Sequence, residues 1–70
     1  MERIPVVSSN IRGIGHDADS LTLEIEFNNG SVYQYAGVPV GEFEAFLNAG
    51  SKGGYFHDNI RSRYSAMRMS

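Results

Sequence analysis

Apolar and polar side chains alternate strictly over seven residues in the first half of the chain, at positions 21–27. A period of two is typical of a strand that buries one face. A turn-forming Asn-Asn-Gly segment follows at 28–30, and residues 31–36 then return with Tyr33 and Tyr35 among smaller neighbours. The pattern therefore predicts a β-hairpin that is centred on this turn.

The length of the hairpin loop decides which face of the sheet the two tyrosines occupy. A two-residue loop pairs Ile25 with Gln34 and turns Tyr33 and Tyr35 outward. A three-residue loop, closed by a bulge at Gly30, pairs Ile25 with Tyr33 and collects the large side chains on one face. We favour the three-residue loop, because the alternative buries Gln34 in place of an aromatic ring. Both tyrosines are then expected to pack beneath the helices with only their hydroxyls in water.

One more strand precedes the hairpin and two helices follow it. Residues 10–16 form the strand, although two glycines weaken its pattern. The first helix begins at Val38-Pro39 and ends at Gly50. Its apolar stripe consists of Val40, Phe43, Phe46 and Leu47. After a flexible link at 51–54, residues 55–64 can form a second short helix.

The two ends of the chain show no comparable pattern. We interpret residues 1–7 as a lead-in, in which Pro5 cannot donate a ladder hydrogen bond, and residues 65–70 as a flexible tail. The sequence therefore predicts one α+β domain over 1–70. Its architecture is a three-stranded antiparallel β-meander followed by two short helices packed on one face.

Composition narrows the class of protein further. A chain of 70 residues is near the lower limit for a core that folds unaided. It contains no cysteine, which excludes disulfides, thiolate metal sites and cysteine nucleophiles. It shows neither a signal-peptide pattern nor an apolar run of membrane-spanning length. We therefore expect a cytoplasmic protein without a membrane role.

The histidine and carboxylate side chains offer no catalytic pattern. His16 and His57 have no serine nucleophile in a recognisable motif beside them, and we expect both to be surface or half-buried residues. Asp17 and Asp19 begin a pattern like that of a calcium loop, but the next ligand position is Leu21, which has no oxygen to offer. We expect a protein that is not an enzyme and that holds neither a metal ion nor a cofactor.

Charge is distributed unevenly around a net value of −2. Residues 1–50 carry two basic and seven acidic side chains, whereas residues 51–70 carry four basic and one acidic. An anionic partner is therefore expected at the C-terminal end, where basic residues interleaved with tyrosines can hold phosphates and stack on bases. The candidate ligand- or RNA-binding residues are Lys52, Gly53, Tyr55, Arg61, Arg63 and Tyr64.

Short motifs also follow one another in a characteristic order over nearly the whole chain. They are Val7-Ser8-Ser9-Asn10-Ile11, Ile14-Gly15-His16-Asp17, Leu21-x-Leu23-x-Ile25-x-Phe27 with Gly30, Tyr33-x-Tyr35 with Val38-Pro39, and Ser51-Lys52-Gly53 with Tyr55-Phe56 and Ile60. Together they resemble the KTSC domain, a small domain found alone and at the C-terminus of some lysyl-tRNA synthetases. The family usually has tyrosine where this chain has His16. The resemblance implies a compact β-meander with helices packed on it, and RNA binding has been suggested from the synthetase fusions.

Two hypotheses for the function remain open. The first is a non-enzymatic binding module for RNA or a nucleotide, which uses the basic, tyrosine-containing C-terminal segment. The alternative is a protein–protein interaction module or a homo-oligomer without a nucleic-acid role, because a small antiparallel sheet leaves edge strands that can pair with another chain.

Overall fold

One antiparallel sheet with a helical layer on one face makes up the protein. The computed structural model describes all 70 residues. The strands, in sheet order, are β1 (Ile4–Pro5), β2 (Ile11–Asp17), β3 (Thr22–Phe27), β4 (Val32–Tyr35) and β5 (Ala66–Arg68). The helices are α1 (Val40–Asn48) and α2 (Lys52–Tyr55), and a π-helical turn (Phe56–Ile60) continues α2. The predicted α+β class is confirmed, but the sheet has five strands instead of three.

The central hairpin has the register of the three-residue loop. Tyr33 lies opposite Ile25, and Tyr35 lies opposite Leu23, so both tyrosines share the helix-covered face with the apolar residues of β3. Gly30 has a φ of 91°, a left-handed conformation that glycine adopts without a steric penalty. The predicted register and the side to which both tyrosines point are therefore confirmed.

The two outer strands arise from the chain ends, for which the sequence predicted no strand. β1 lies within the predicted lead-in and pairs with β2, while β5 lies within the predicted flexible tail and pairs with β4. Pro5 fits at the sheet edge because its missing N–H costs no ladder bond there. The prediction of three strands is wrong because pairing with a distant neighbour decides the structure of these short segments, which have no alternation of their own.

The second helix begins three residues before its predicted start. The Ser51 side-chain oxygen accepts a hydrogen bond of 3.1 Å from the Gly54 N–H, one of the donors that a first helical turn leaves unpaired. The segment expected to be a flexible link is therefore the capped first turn of α2. The helix widens from Phe56, whose carbonyl accepts a 2.9 Å hydrogen bond from the Arg61 N–H five residues later.

The core lies between the sheet and the helices. Its buried side chains are Ile11, Ile14, Leu23, Ile25, Tyr35, Val38, Phe46 and Ile60. Of the predicted apolar stripe on α1, Phe46 is fully buried and Phe43 and Leu47 pack at the margin, whereas Val40 is 48% exposed. None of the helices has the length and apolar character that crossing a bilayer requires.

The opposite face of the sheet carries a network of ion pairs. Glu24 is only 7% exposed, and the Arg3 guanidinium lies 2.5 Å from its carboxylate. Gln34 donates a 2.8 Å hydrogen bond to the same carboxylate. Arg3 and Arg12 each lie 3.4 Å from Glu26. The acidic residues of β3 are therefore matched by arginines within the fold.

Candidate functional site

Three of the six predicted binding residues converge on one carboxylate of α1. Tyr55 and Tyr64 both donate their hydroxyl hydrogens to Glu42, the latter over 2.9 Å. Arg63 Nη1 lies 3.4 Å from the same carboxylate, which is 12% exposed. The Tyr55 ring stacks on Phe46 with 5.6 Å between ring centres. We refer to Glu42, Tyr55, Arg63 and Tyr64 as the Glu42 cluster.

The pKa of both tyrosines in the Glu42 cluster is raised above the ordinary value. For Tyr55 the hydrogen bond to Glu42 is the main cause, followed by burial. For Tyr64 burial is the main cause, followed by the hydrogen bond to Glu42. A phenolate at either position would face the carboxylate and lose the hydrogen bond that the phenol donates. Both phenols are thus held as neutral donors whose partner lies within the protein.

Lys52 and Gly53, also predicted to bind a ligand, have contacts within the fold as well. Lys52 Nζ donates a 2.7 Å hydrogen bond to the Ala49 carbonyl, just after α1. Gly53 lies against Asn10, since a Cβ at this glycine would be 2.9 Å from the Asn10 side-chain oxygen. The first turn of α2 therefore joins the end of α1 to the loop that precedes β2.

The two histidines lie apart from these residues. His16 is half-buried, with Nε2 2.7 Å from the Val38 carbonyl oxygen and its ring stacked on Phe43 at 5.0 Å between centres. His57 is exposed, with Nδ1 3.3 Å from the Asp58 carboxylate. The structure contains no group of three or more histidine or carboxylate side chains that could hold a metal ion.

The π-helical turn ends at Arg61, the remaining charged residue of the predicted set. In an α-helix, residues five apart differ by about 1.4 turns and point in different directions. The i→i+5 hydrogen bond between Phe56 and Arg61 widens the turn between these two residues. Both side chains line the same groove beside β4. Turns of this kind are rare and frequently occur at functional sites.

Aromatic rings form one wall of this groove, which has a volume of about 580 Å³. Small-ligand sites usually have volumes of roughly 300–1,000 Å³. The rings belong to Phe27, Tyr33, Tyr35 and Phe56. Phe56 packs at a steep angle against Phe27 and Tyr35, with ring centres 5.5 and 5.8 Å away. Tyr35 is 4% exposed, whereas the other three residues are half-buried, so a ligand can reach those three rings.

Amide and hydroxyl groups form the end of the groove at the hairpin turn. They belong to Ser9, Asn10, Asn28, Asn29 and Ser31. The Asn28 side chain donates from its nitrogen to the Ser8 carbonyl (3.2 Å), which leaves its oxygen as a free acceptor. The Asn29 side-chain oxygen accepts from the Ser31 N–H (3.0 Å), which leaves its nitrogen as a free donor. Free donors and acceptors therefore lie side by side.

Arg61 is the one basic side chain that makes no hydrogen bond or ion pair within the protein. The others contact carboxylates or backbone carbonyls: Arg3, Arg12, Lys52, Arg63 and Arg68. Burial raises the pKa of Tyr35, and the nearby charge of Arg61 partly opposes this effect. No carboxylate lines the groove. The groove is therefore locally positive on a protein with a net charge of −2.

The whole fold is similar to a crystal structure of a KTSC domain protein from Yersinia pestis. The TM-score is 0.93 at 40% sequence identity, and the match covers 99% of this chain and 97% of the other. The KTSC domain profile matches residues 7–64, which is most of the chain. This chain belongs to the KTSC domain family. The resemblance noted in the sequence is thereby confirmed.

KTSC domains occur in proteins of very different length. A protein of Stutzerimonas stutzeri is 34% identical over 64 residues, which cover 91% of this chain and 90% of that protein. A lysine–tRNA ligase of Trichormus variabilis is 39% identical over 62 residues, which cover 89% of this chain but only 11% of the ligase. The KTSC domain is therefore nearly an entire protein in one relative and a small part of a tRNA ligase in another.

Several residues that carry the KTSC resemblance meet in the groove, although no binding role was predicted for them. Tyr33 and Phe56 are half-buried there, and Asn10 lies at its amide end. Tyr35 is buried beneath the π-helical turn, where its ring packs against Phe56, whereas Tyr33 is half-buried. In the sequence, the Tyr33-x-Tyr35 motif and Phe56 are the features that could have indicated this groove. Their convergence depends on the π-helical turn, which no pattern in the sequence indicated.

Proposed function

We propose that this KTSC domain is a non-enzymatic binding module for RNA or a nucleotide, and that the ligand binds in the groove beside β4. The observation that carries the proposal is the unpaired guanidinium of Arg61 beside accessible aromatic rings and free amides. Guanidinium groups bind phosphates, aromatic rings stack on unpaired bases, and amides form hydrogen bonds with base edges. A cytoplasmic location, expected from the sequence, belongs to the same proposal.

The relatives support RNA as the ligand class. A KTSC domain forms part of the lysine–tRNA ligase of Trichormus variabilis, and the name of that enzyme specifies a tRNA substrate. A small appended domain that contacts RNA would suit such an enzyme. The absence of carboxylates from the groove of this chain agrees with an anionic ligand.

The proposal moves the binding surface away from most of the residues predicted from the sequence. Only Arg61 of that set lines the groove. Tyr55 and Tyr64 donate hydrogen bonds to Glu42 and hold the segment that carries Arg61 and Phe56 against α1. In this proposal they position the site without touching the ligand.

Two arginine variants of equal charge test the proposal. Binding of a short, fluorescently labelled single-stranded RNA to the full chain is measured by anisotropy at low salt. Arg61→Gln is expected to weaken binding about tenfold, because one charge-assisted contact to phosphate is lost. Arg63→Gln is the matched control and should change the affinity by no more than about twofold, through long-range attraction alone.

Two results would count against the site. Failure of the unaltered protein to bind RNA at low salt would refute RNA binding itself. An equal loss of affinity in the two arginine variants would show that general charge, and not the groove, attracts the RNA.

Self-association through the open sheet edge is a second candidate. β5 has no neighbour on its outer side, and its central residue Met67 is 66% exposed. An exposed edge strand can pair with a second copy of the chain. Sedimentation over a wide concentration range decides the matter: a mass that increases with concentration supports self-association, and a constant monomer mass rejects it.

A further inference from the structure

On the basis of the proposed function, we infer that the groove is a site for a single unpaired nucleotide. Its phosphate would lie at Arg61, and its base would lie between the accessible rings and the amides at the hairpin turn. The domain would then recognise one nucleotide that stands out of an RNA, or a free nucleotide, and would not follow the backbone of a longer single strand.

The supply of free cations limits the number of phosphates that the protein can neutralise. Arg61 alone lacks a protein partner. Arg68 is the next basic group at this surface: its guanidinium carbon lies 6.0 Å from the centre of the Tyr33 ring, and its Nη2 lies 3.5 Å from the Ser31 hydroxyl. Proteins that follow single strands line a long groove with positive charge. Here one or two arginines can contact phosphate.

The groups that line the groove differ between its two ends, and they match the parts of a nucleotide: the edge of the base, its face and the phosphate. The amides of Asn28 and Asn29 lie at the turn before β4, whereas Arg61 ends the π-helical turn, whose Phe56 ring packs on Tyr35 at the last position of β4. Four strand steps separate Ser31 from Tyr35, which corresponds to about 13 Å. Hydrogen-bonding groups for a base edge, rings for its face and a cation for its phosphate therefore lie in the same groove beside β4.

Negative charge lies outside the groove. The exposed carboxylates without an arginine or lysine partner are Glu2, Asp17, Asp19, Glu44 and Asp58. None of them lines the groove. Outside the groove an extended RNA strand would find no further unpaired arginine or lysine on a protein with a net charge of −2, and like charges would oppose further contacts. The charge distribution thus favours a short footprint.

The salt dependence of binding measures this footprint directly. The full chain is titrated with each of the four ribonucleoside 5′-monophosphates and with single-stranded RNAs of increasing length. For one or two phosphate contacts, the slope of log K against log salt is expected to be about −0.7 to −1.4. Affinity should increase only in proportion to the number of nucleotides offered, and a mononucleotide should displace the longer RNAs. Arg61→Gln should flatten the slope by about 0.7.

The possible failures can be told apart. A slope steeper than about −3 for the longer RNAs would indicate several phosphate contacts; this would overturn the single-nucleotide site and leave RNA binding intact. RNA that binds but is not displaced by any mononucleotide would overturn it as well. A slope that Arg61→Gln leaves unchanged would place the phosphate elsewhere. If neither RNA nor a mononucleotide binds, the proposed function itself is refuted.

Discussion

Two regions of the molecule combine tyrosines with an arginine and differ in where their polar atoms find partners. In the Glu42 cluster, the hydroxyls of Tyr55 and Tyr64 both donate to one carboxylate. In the groove, Tyr33 and Tyr35 lie beside Arg61, and neither hydroxyl nor guanidinium has a hydrogen-bond partner in the protein. The polar groups of the Glu42 cluster therefore satisfy one another, whereas the groove retains free donors and acceptors.

This difference shows why the type of a residue alone is a poor predictor of a binding site. Arg61 and Arg63 are two residues apart and belong to one basic segment of the sequence. Arg63 lies 3.4 Å from Glu42, a carboxylate 21 positions earlier in the chain, while Arg61 lines a groove without carboxylates. Partners that are distant in sequence therefore separate a structural arginine from one available to a ligand.

A pair of tyrosine-to-phenylalanine variants should give the largest contrast between the two regions. Tyr64→Phe removes a 2.9 Å hydrogen bond to a largely buried carboxylate and should lower the free energy of unfolding by about 1–2 kcal/mol. Tyr33→Phe removes a hydroxyl without a protein partner and should change it by less than about 0.5 kcal/mol. Urea denaturation measures both values, and equal destabilisation would contradict the distinction.

A smaller effect is expected in the titration of the tyrosines. The pKa of Tyr55 is raised above 10.0 mainly by its hydrogen bond to Glu42, so Glu42→Gln should bring it back toward that value. Burial is the main cause of the raised pKa of Tyr35, which should remain unchanged and provides the control. The ring carbon signals of both residues, followed by NMR across alkaline pH, give the two values.

The same titration has a consequence for stability. A tyrosine whose pKa is higher in the folded protein than in the unfolded chain stabilises the fold fully below the unfolded value. This stabilisation disappears as the pH rises through the raised folded value. The unaltered protein should therefore lose stability above about pH 10, and Glu42→Gln should show a smaller loss. An identical loss in both proteins would mean that Glu42 does not control these phenols.

The part of the fold that could be predicted from the sequence is the part in which local signals agree. The alternation over 21–27 and the turn at 28–30 left two possible registers and favoured the pairing of Tyr33 with Ile25, which the structure confirms. β1 and β5 could not be predicted in this way. Both are short and their residues are exposed, so their existence depends on hydrogen bonds to a sheet that must already be present.

The candidate site was less predictable than the fold. Arg61 was selected for its charge and lies in the groove, but its orientation depends on the π-helical turn. Asn10 and Asn28 come from loops that meet only in the folded protein, through a 2.9 Å hydrogen bond from the Asn28 N–H to the Asn10 carbonyl. Glu42, the acceptor for two tyrosines, has no signal in the sequence for this role, because its partners follow it by 13 and 22 residues.

The four tyrosines, two in each region, allow one direct test of the central claim. The ring signals of the tyrosine-labelled protein are recorded by NMR while a short single-stranded RNA is added at low salt. The signals of Tyr33 and Tyr35 should shift with the RNA concentration, and those of Tyr55 and Tyr64 should stay in place. Shifts confined to Tyr55 and Tyr64 would contradict the claim that the groove, and not the Glu42 cluster, is the binding site.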